Sequence, residues 1–219
     1  MNNLEKQVLS LIGEDPDSPD VFTDDQTGIL QVRDSLNDAI QEIVMLTGGH
    51  EETFHIPLLA DKKFYRVNFE RGFMGWVVDC WITGGRRRLQ QTDFIKLWAE
   101  NSRWLRSSGT PWQYVQVGLN IIGLDRSPSS DTDVLELRCV VIPAAYDQDT
   151  DRLRLRKEYQ WAAVNYAVSE YFASRGNKDM AVEHFKLYAE ALGETMNYKP
   201  ARNRIVMQRP AESQINVTS

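Results

Sequence analysis

Apolar side chains recur at helical spacing in three stretches of the chain. The first lies at residues 26–47 and ends at the Gly48-Gly49 pair, a common way for a helix to stop. Two more lie at residues 156–174 and 178–194, separated only by Arg175-Gly176-Asn177. Because so short a link folds one helix back on the other, the last two helices are predicted to be antiparallel.

Between these helices the pattern changes to the β-branched and aromatic runs that are typical of strands. Residues 53–57, 64–69 and 76–82 are predicted strands within a β-rich part at about 53–143. A further helix is expected at 92–106, with Thr92 as its N-cap. The predicted inward face of this helix carries Phe94, Leu97, Trp98 and Leu105.

The clearest strand pattern is a predicted long β-hairpin. Residues 114–124 and 134–142 are its two strands, and Leu135 and Leu137 alternate with polar neighbours on the second strand. The polar segment between the strands is too rich in Asp, Ser and Pro for a helix, so it is interpreted as the hairpin tip. The tip residues are Pro128, Ser129, Ser130 and Asp131.

These elements predict an α+β fold in one domain at residues 1–198. A helical bundle, formed by the long N-terminal helix and the C-terminal antiparallel pair, is expected to accompany a hairpin-rich sheet. Residues 199–219 contain two prolines and no apolar stripe, so we expect an extended tail that becomes ordered on a partner.

Composition supports a globular chain: 42% hydrophobic residues are enough for a sizeable core. No apolar run has the length of a membrane span, and the N-terminus lacks a secretion signal, so we expect neither membrane insertion nor export. Cys80 and Cys139 fall inside predicted strands without metal-ligand spacing and are expected to be buried free thiols.

The net charge of −6 is divided unevenly along the sequence. Residues 13–28 carry six carboxylates and no base, whereas residues 84–106 are strongly basic and begin with Arg86, Arg87 and Arg88. Three further arginines, Arg152, Arg154 and Arg156, precede the first C-terminal helix. Such patches suit contacts with a partner or a neighbouring copy, but they are also compatible with nucleic acid or with plain solvation.

No pattern predicts catalysis, a cofactor or a metal. Asp147, Asp149 and Asp151 begin like a calcium loop, but Arg152 stands where that loop requires glycine. The three histidines have no metal-binding spacing, and His184, on an apolar stripe, is interpreted as a core residue. We therefore expect that the protein is not an enzyme.

The order of several short features resembles the head-to-tail adaptor (connector) proteins of tailed bacteriophages. The resemblance covers about residues 27–196 and is strongest to the tail tubular and gatekeeper adaptor branch of podovirus-like phages. The features are the Ile56-Pro57 pair, Trp104, Gly109-Thr110-Pro111, Pro128, Pro143, the Asp149-Thr150-Asp151 loop and the two C-terminal helices. Family members often have Leu-Pro in place of the Ile56-Pro57 pair. They also often have a Pro-rich segment before the first C-terminal helix, where this chain has Arg152, Arg154 and Arg156.

The resemblance implies a structural virion protein of the neck or tail, assembled in the host cytoplasm and involved in DNA ejection. Copies of the chain would form a dodecameric ring that binds the portal protein, continues the DNA channel and receives the next tail protein, a nozzle or tail-tube component. Double-stranded DNA would pass through without sequence-specific binding.

Within that ring the tail is the candidate portal or subunit contact, through Lys199, Arg202, Arg204 and Arg209. The hairpin tip, Pro128 to Asp131, would face the next tail protein. The two groups of arginines, at 86–88 and at 152–156, form the candidate charged interface.

The alternative is a nucleic-acid-binding accessory protein that uses Arg86, Arg87 and Arg88, with Arg103 and Arg106, to contact phosphates. The negative net charge and the lack of a recognition-helix motif count against it.

Overall fold

The computed structural model describes residues 3–15, 27–84, 87–146 and 155–197. Within these ranges the helices and strands, in chain order, are α1 (Asn3–Ile12), α2 (Thr27–Thr47), β1 (Glu51–Pro57), β2 (Phe64–Arg66), β3 (Phe73–Ile82), β4 (Arg87–Arg88), β5 (Gln90–Gln91), α3 (Phe94–Glu100), β6 (Gln113–Val117), β7 (Ile121–Leu124), β8 (Val134–Ile142), α4 (Lys157–Ser174) and α5 (Lys178–Asn197). A 3-10 turn at Trp104–Arg106 follows α3. The tail, the Asp147 to Asp151 loop, Arg86, Arg152 and Arg154 lie outside the described residues.

The strands form two four-stranded sheets with the orders β1-β8-β3-β4 and β2-β7-β6-β5. All pairs in the first sheet are antiparallel, and in the second sheet only β5 and β6 pair in parallel. Buried side chains of both sheets, among them Leu135 and Leu137 of β8 and Ile122 and Leu124 of β7, form one cluster. The two sheets therefore pack face to face around a shared inter-sheet core.

Strand β8 contributes to two different cores because successive side chains point to opposite faces of a strand. Leu135, Leu137, Cys139 and Val141 belong to the inter-sheet core. On the opposite face, Val140 and Ile142 pack into a second core formed mainly by the helices. In the first half of β8 that opposite face carries Glu136 and Arg138, which none of the described helices covers.

The helices form a layer over the second half of β8. Gln31 of α2 donates a hydrogen bond to Ser174 at the end of α4 (2.7 Å), and Tyr188 of α5 donates one to Glu42 of α2 (2.8 Å). These contacts make α2 antiparallel to α4 and parallel to α5. Gly49 follows α2, and a Cβ there would lie 2.9 Å from the Tyr159 ring, which explains the absence of a side chain.

The structure confirms the predicted α+β fold class, with the long N-terminal helix, the antiparallel C-terminal pair and the sheet-rich middle. That residues 1–198 act as one domain stays a prediction. The short helix α1 adds a buried ion pair between Glu5 and Arg33 of α2, with 2.7 Å between Oε1 and Nε.

The predicted long hairpin is wrong. Residues 114–124 do not form one strand: Gly118, at φ +62°, begins a tight turn, so β6 and β7 pair with each other. Strand β8 instead lies between β1 and β3 in the other sheet. The alternating pattern of β8 is equally compatible with either sheet, because both present an apolar inner face. The segment from Pro128 to Asp131 is therefore a crossover between sheets and not a hairpin tip.

Both cysteines are buried and free, as the sequence predicts. Burial, with a smaller contribution from Asp79, raises the pKa of Cys80 to about 12. Burial also raises the pKa of Cys139 to about 12, with a smaller contribution from Glu52. At neutral pH both groups are unreactive thiols. In the described part of the chain, no helix is long and apolar enough to span a membrane.

The shared position of β8 predicts that the two cores unfold together. Leu137→Ala in the inter-sheet core and Ile142→Ala in the helical core should each lower the free energy of unfolding by about 2–5 kcal/mol. Urea unfolding followed by tryptophan fluorescence and by far-UV circular dichroism should give coincident transitions for both variants. Leu119→Ala, at an exposed position, is the control. Two separated transitions would contradict the shared-strand interpretation.

Candidate functional site

Helix α3 presents the most exposed apolar side chains of the described chain. The helix begins at Asp93, whose carboxylate accepts a hydrogen bond from the Lys96 backbone N–H at 2.8 Å. The predicted cap, Thr92, is therefore off by one residue. The helix ends where the N–H of Asn101 donates to the carbonyl of Leu97, so it has only seven residues.

So short a helix packs through very few side chains. Leu97 is buried against Trp104 and Val115, and it is the inward-facing residue that the sequence predicted correctly. Phe94, Trp98 and Leu105, expected on the same inward face, are instead exposed. A helix of two turns can place at most one side chain per turn against the narrow sheet beneath it. Phe94, Trp98 and Leu105 therefore stay exposed.

The exposed side chains surround a shallow groove of about 460 Å³, here called the α3 groove. Its lining residues are Phe64, Phe94, Ile95, Trp98, Trp104 and Leu105. Ile95 is 82% exposed, Trp98 60% and Leu105 55%, whereas Trp104 is only 4% exposed and forms the floor. The rings of Phe64 and Phe94 lie 6.2 and 5.9 Å from that of Trp104. A contiguous apolar surface of this kind is typical of a protein-binding site.

Lys63 holds the floor of the groove in place. Its ammonium group donates hydrogen bonds to the carbonyl of Trp104, to the carbonyl of Asp125 at 2.8 Å and to the hydroxyl of Ser107 at 3.2 Å. It also lies 5.4 Å from the centre of the Trp104 ring, within reach of a cation–π interaction. Burial lowers the pKa of Lys63, against the opposing effect of Asp125.

The candidate charged interface lies within the described residues only at Arg87, Arg88 and Arg156. Arg88, on the edge strand β4, donates to Asp79 at 2.8 Å, and Arg87 beside it is exposed. Arg156 directly precedes α4, with its Nη1 3.9 Å from Glu158. These two regions belong to the sheet and to the helical layer respectively. Lys96, Arg103 and Arg106 are exposed near the α3 groove, together with Asp93 and Glu100.

The segment predicted as a hairpin tip lies against another loop. Pro128 is buried and its carbonyl accepts a hydrogen bond from Asp61 N–H at 3.0 Å, while Asp131 accepts one from Ala60 N–H. Ser129 and Ser130 are exposed. Asp131 and Thr132 are exposed as well, so the crossover is accessible to a partner from Ser129 to Thr132.

Nothing in the described ranges forms a group of three or more His, Cys, Asp or Glu that could hold a metal ion. His184 is a buried core residue, as predicted, with Nδ1 2.9 Å from the Asn165 Oδ1 and its ring stacked on Phe172. The loop from Asp147 to Asp151, considered above as a calcium frame, lies outside the described residues.

An exposed apolar groove of this kind is typical of a surface that contacts other proteins. The family model described as the SU10 adaptor protein matches residues 4–213. The chain belongs to the SU10 adaptor protein family. It is thus a phage head-to-tail adaptor, a structural protein of the virion neck that interacts with portal and tail proteins. No curated protein matches the adaptor chain.

Sequence reasoning missed Ile95 and Phe64 as surface residues of this adaptor. The available signal was the composition of α3: apolar residues occupy four of the first five positions, Phe94, Ile95, Leu97 and Trp98. A helix that is apolar on two sides needs a second partner besides its own core.

Lys63→Met should test whether the buried ammonium positions the groove floor. We expect a loss of about 1–3 kcal/mol in the free energy of unfolding, because the Trp104 and Asp125 carbonyls would lose their charged donor and keep only Ser107 among their described donors. Urea unfolding measures the change. Lys62→Met is the matched control, since Lys62 is exposed beside it. Equal stability of the two variants would contradict the role given to Lys63.

The exposure of α3 predicts that neighbouring substitutions change the free energy of unfolding by very different amounts. Ile95→Ser combined with Trp98→Ser should change the free energy of unfolding by about 0.5 kcal/mol or less per site. Leu97→Ala should cost about 2–5 kcal/mol, because Leu97 is 2% exposed. Thermal and urea unfolding of the purified variants provide the comparison. A large loss for the Ile95 and Trp98 pair would show that these side chains support the fold.

Proposed function

We propose that this adaptor forms a closed ring beneath the portal, joins the phage head to the tail and continues the DNA channel. The observation that carries the proposal is the α3 groove. Ile95, Trp98 and Leu105 are exposed in the single subunit, and covering them in an assembly removes apolar surface from water. A ring needs a head-to-tail contact between two different surfaces of each subunit. The groove supplies one such surface.

Two further contacts belong to the proposal. The basic tail, with Lys199, Arg202, Arg204 and Arg209, binds the portal or a neighbouring subunit. The crossover segment from Pro128 to Asp131, in which Ser129, Ser130 and Asp131 are exposed, faces the next tail protein, a nozzle or tail-tube component. In the same proposal the adaptor belongs to a podovirus-like branch, has twelve copies in its ring and one domain at residues 1–198, and is assembled in the host cytoplasm.

DNA passes through such a ring without being held. Arg87 is exposed, and Arg88 remains 64% exposed beside Asp79, which is shared with Arg138, so this region keeps a basic surface. We therefore place the arginines at 86–88 away from the channel lining, since a surface that grips phosphates would slow the passage of DNA.

Mass measurement by light scattering tests the proposal. The full chain mixed with its cognate portal at moderate salt should give a complex heavier than portal by a ring of subunits. Removal of residues 199–219 should weaken this docking. The Ile95→Ser and Trp98→Ser variant should fail to close the ring, while Thr92→Ser, outside the groove, serves as the control. No mass increase, with salt-sensitive binding of duplex DNA instead, would favour the accessory-protein alternative.

A further inference from the structure

Strand β1 has one unpaired edge within the described structure. The backbone carbonyl of His50 accepts a hydrogen bond from Val141 N–H at 3.0 Å, and Leu58 N–H donates to the backbone carbonyl of Asp133 at 2.9 Å. In an antiparallel pair the backbone groups of alternate residues face the partner strand. The even-numbered residues of β1 thus bond to β8, and the backbone groups of Glu51, Thr53 and His55 point away from it.

The apolar core is incompletely covered at this same edge. Phe54 and Ile56 of β1 pack against the inter-sheet core but are only partly buried. Phe54 contacts Phe69 edge to face, with ring centres 4.9 Å apart. The strands at the other sheet edges have only two or three residues, whereas β1 has seven. A long open edge with apolar side chains is a template for an added strand.

We propose that residues 203–209 from the tail of a neighbouring copy add to β1 as a fifth strand of this sheet. The proposal rests on the proposed ring, and it names the surface that receives the tail. Residues 203–209 contain the apolar run Ile205-Val206-Met207, whose alternate side chains would extend the cover over Phe54 and Ile56.

The charges of the tail and of strand β1 favour binding of this segment. Lys199, Arg202, Arg204 and Arg209 precede the first acidic residue of the tail, Glu212. Carboxylates lie at the receiving strand: Glu51, 3.9 Å from Arg138, and Glu52, 3.0 Å from His50, begin β1, and Glu136 lies opposite His55 on β8. A basic strand beside these groups gains favourable electrostatic interactions and a defined orientation.

The position of α5 favours a neighbour's tail over the subunit's own. Tyr188 of α5 contacts Glu42 of α2, and α5 runs parallel to α2, so Asn197 lies at the end of the layer where Gly49 leads into β1. The subunit's own tail would start there and follow β1 in parallel. A neighbour's tail can run antiparallel, the more stable arrangement and the one that β1 already has with β8. The 22 residues after Asn197 extend to roughly 70 Å, enough to reach another subunit.

Cysteine crosslinking in the full chain tests the strand addition. One preparation carries Thr53→Cys and another Val206→Cys, and the mixture is treated with a short bismaleimide, alone at high concentration and bound to portal. Cys80 and Cys139 are buried, so the new thiols react selectively. We expect a heterodimer band, with less than a tenth of that yield when Ser129→Cys replaces Thr53→Cys. No band above this control in either condition would overturn the proposal.

A single chain that carries both Thr53→Cys and Val206→Cys separates the two possible sources of the tail. The proposal predicts a ladder of linked subunits. An internally linked monomer would assign the tail to its own β1 and would overturn the proposal.

A complementation experiment tests the same contact without a crosslinker. Thr53→Pro with His55→Pro removes two donors from the open edge, where proline is tolerated, and replacement of Ile205, Val206 and Met207 by Ser disables the tail strand. Neither variant should form chains of subunits, but their mixture should form dimers through one intact junction. Thr53→Val with His55→Val keeps the donors and is the control.

Docking of these variants on portal, followed by light scattering, separates this inference from the proposed function. If the variants still form a portal-bound ring, the strand addition is wrong and the proposed function stands. If the unmodified chain does not dock on portal, the proposed function fails. The crosslinking experiment without portal then tests the strand addition independently.

Discussion

Strand β8 is covered by apolar neighbours on one face along its length and on the other face only in its second half. This single constraint arranges the rest of the fold, because the inter-sheet core needs Leu135, Leu137, Cys139 and Val141 while the helical core needs Val140 and Ile142. The helices must therefore lie over one end of the sheet, and the other end keeps a charged outer face. A change of register by one residue would exchange both sets of side chains, so β8 fixes the sheet and the helical layer together.

The surfaces left open by this arrangement are the ones that suit an assembling protein. Helix α3 contributes Leu97 to the core and leaves Ile95 and Trp98 exposed, while Lys63 keeps Trp104 as a rigid floor between them. On the first sheet, β1 is an edge strand with half-covered Phe54 and Ile56. Both features would be liabilities in a protein that stays alone, because exposed apolar surface and open strand edges promote association. In this member of the SU10 adaptor family we propose that they are contact surfaces.

Helix positions and the fold class could be predicted from sequence, because α2, α4 and α5 are long segments rich in apolar residues, Gly48-Gly49 ends α2, and Gly176 separates α4 from α5. The pairing of strands could not. The alternation of apolar and polar residues in β8 indicates which side chains are buried but not which strand pairs with it. The sequence at Gly118 does not predict a turn more strongly than the Pro128 segment does. The groove was missed because periodicity was interpreted as one inward face, although a seven-residue helix buries a single leucine.

The most direct measurement is a reconstruction of the adaptor on its portal by electron cryomicroscopy. The account predicts a closed ring beneath the portal in which Ile95, Trp98 and Leu105 of every subunit are covered by another protein chain. The same residues facing solvent around the ring, with contacts formed elsewhere, would contradict the assignment of the α3 groove as the surface on which assembly depends.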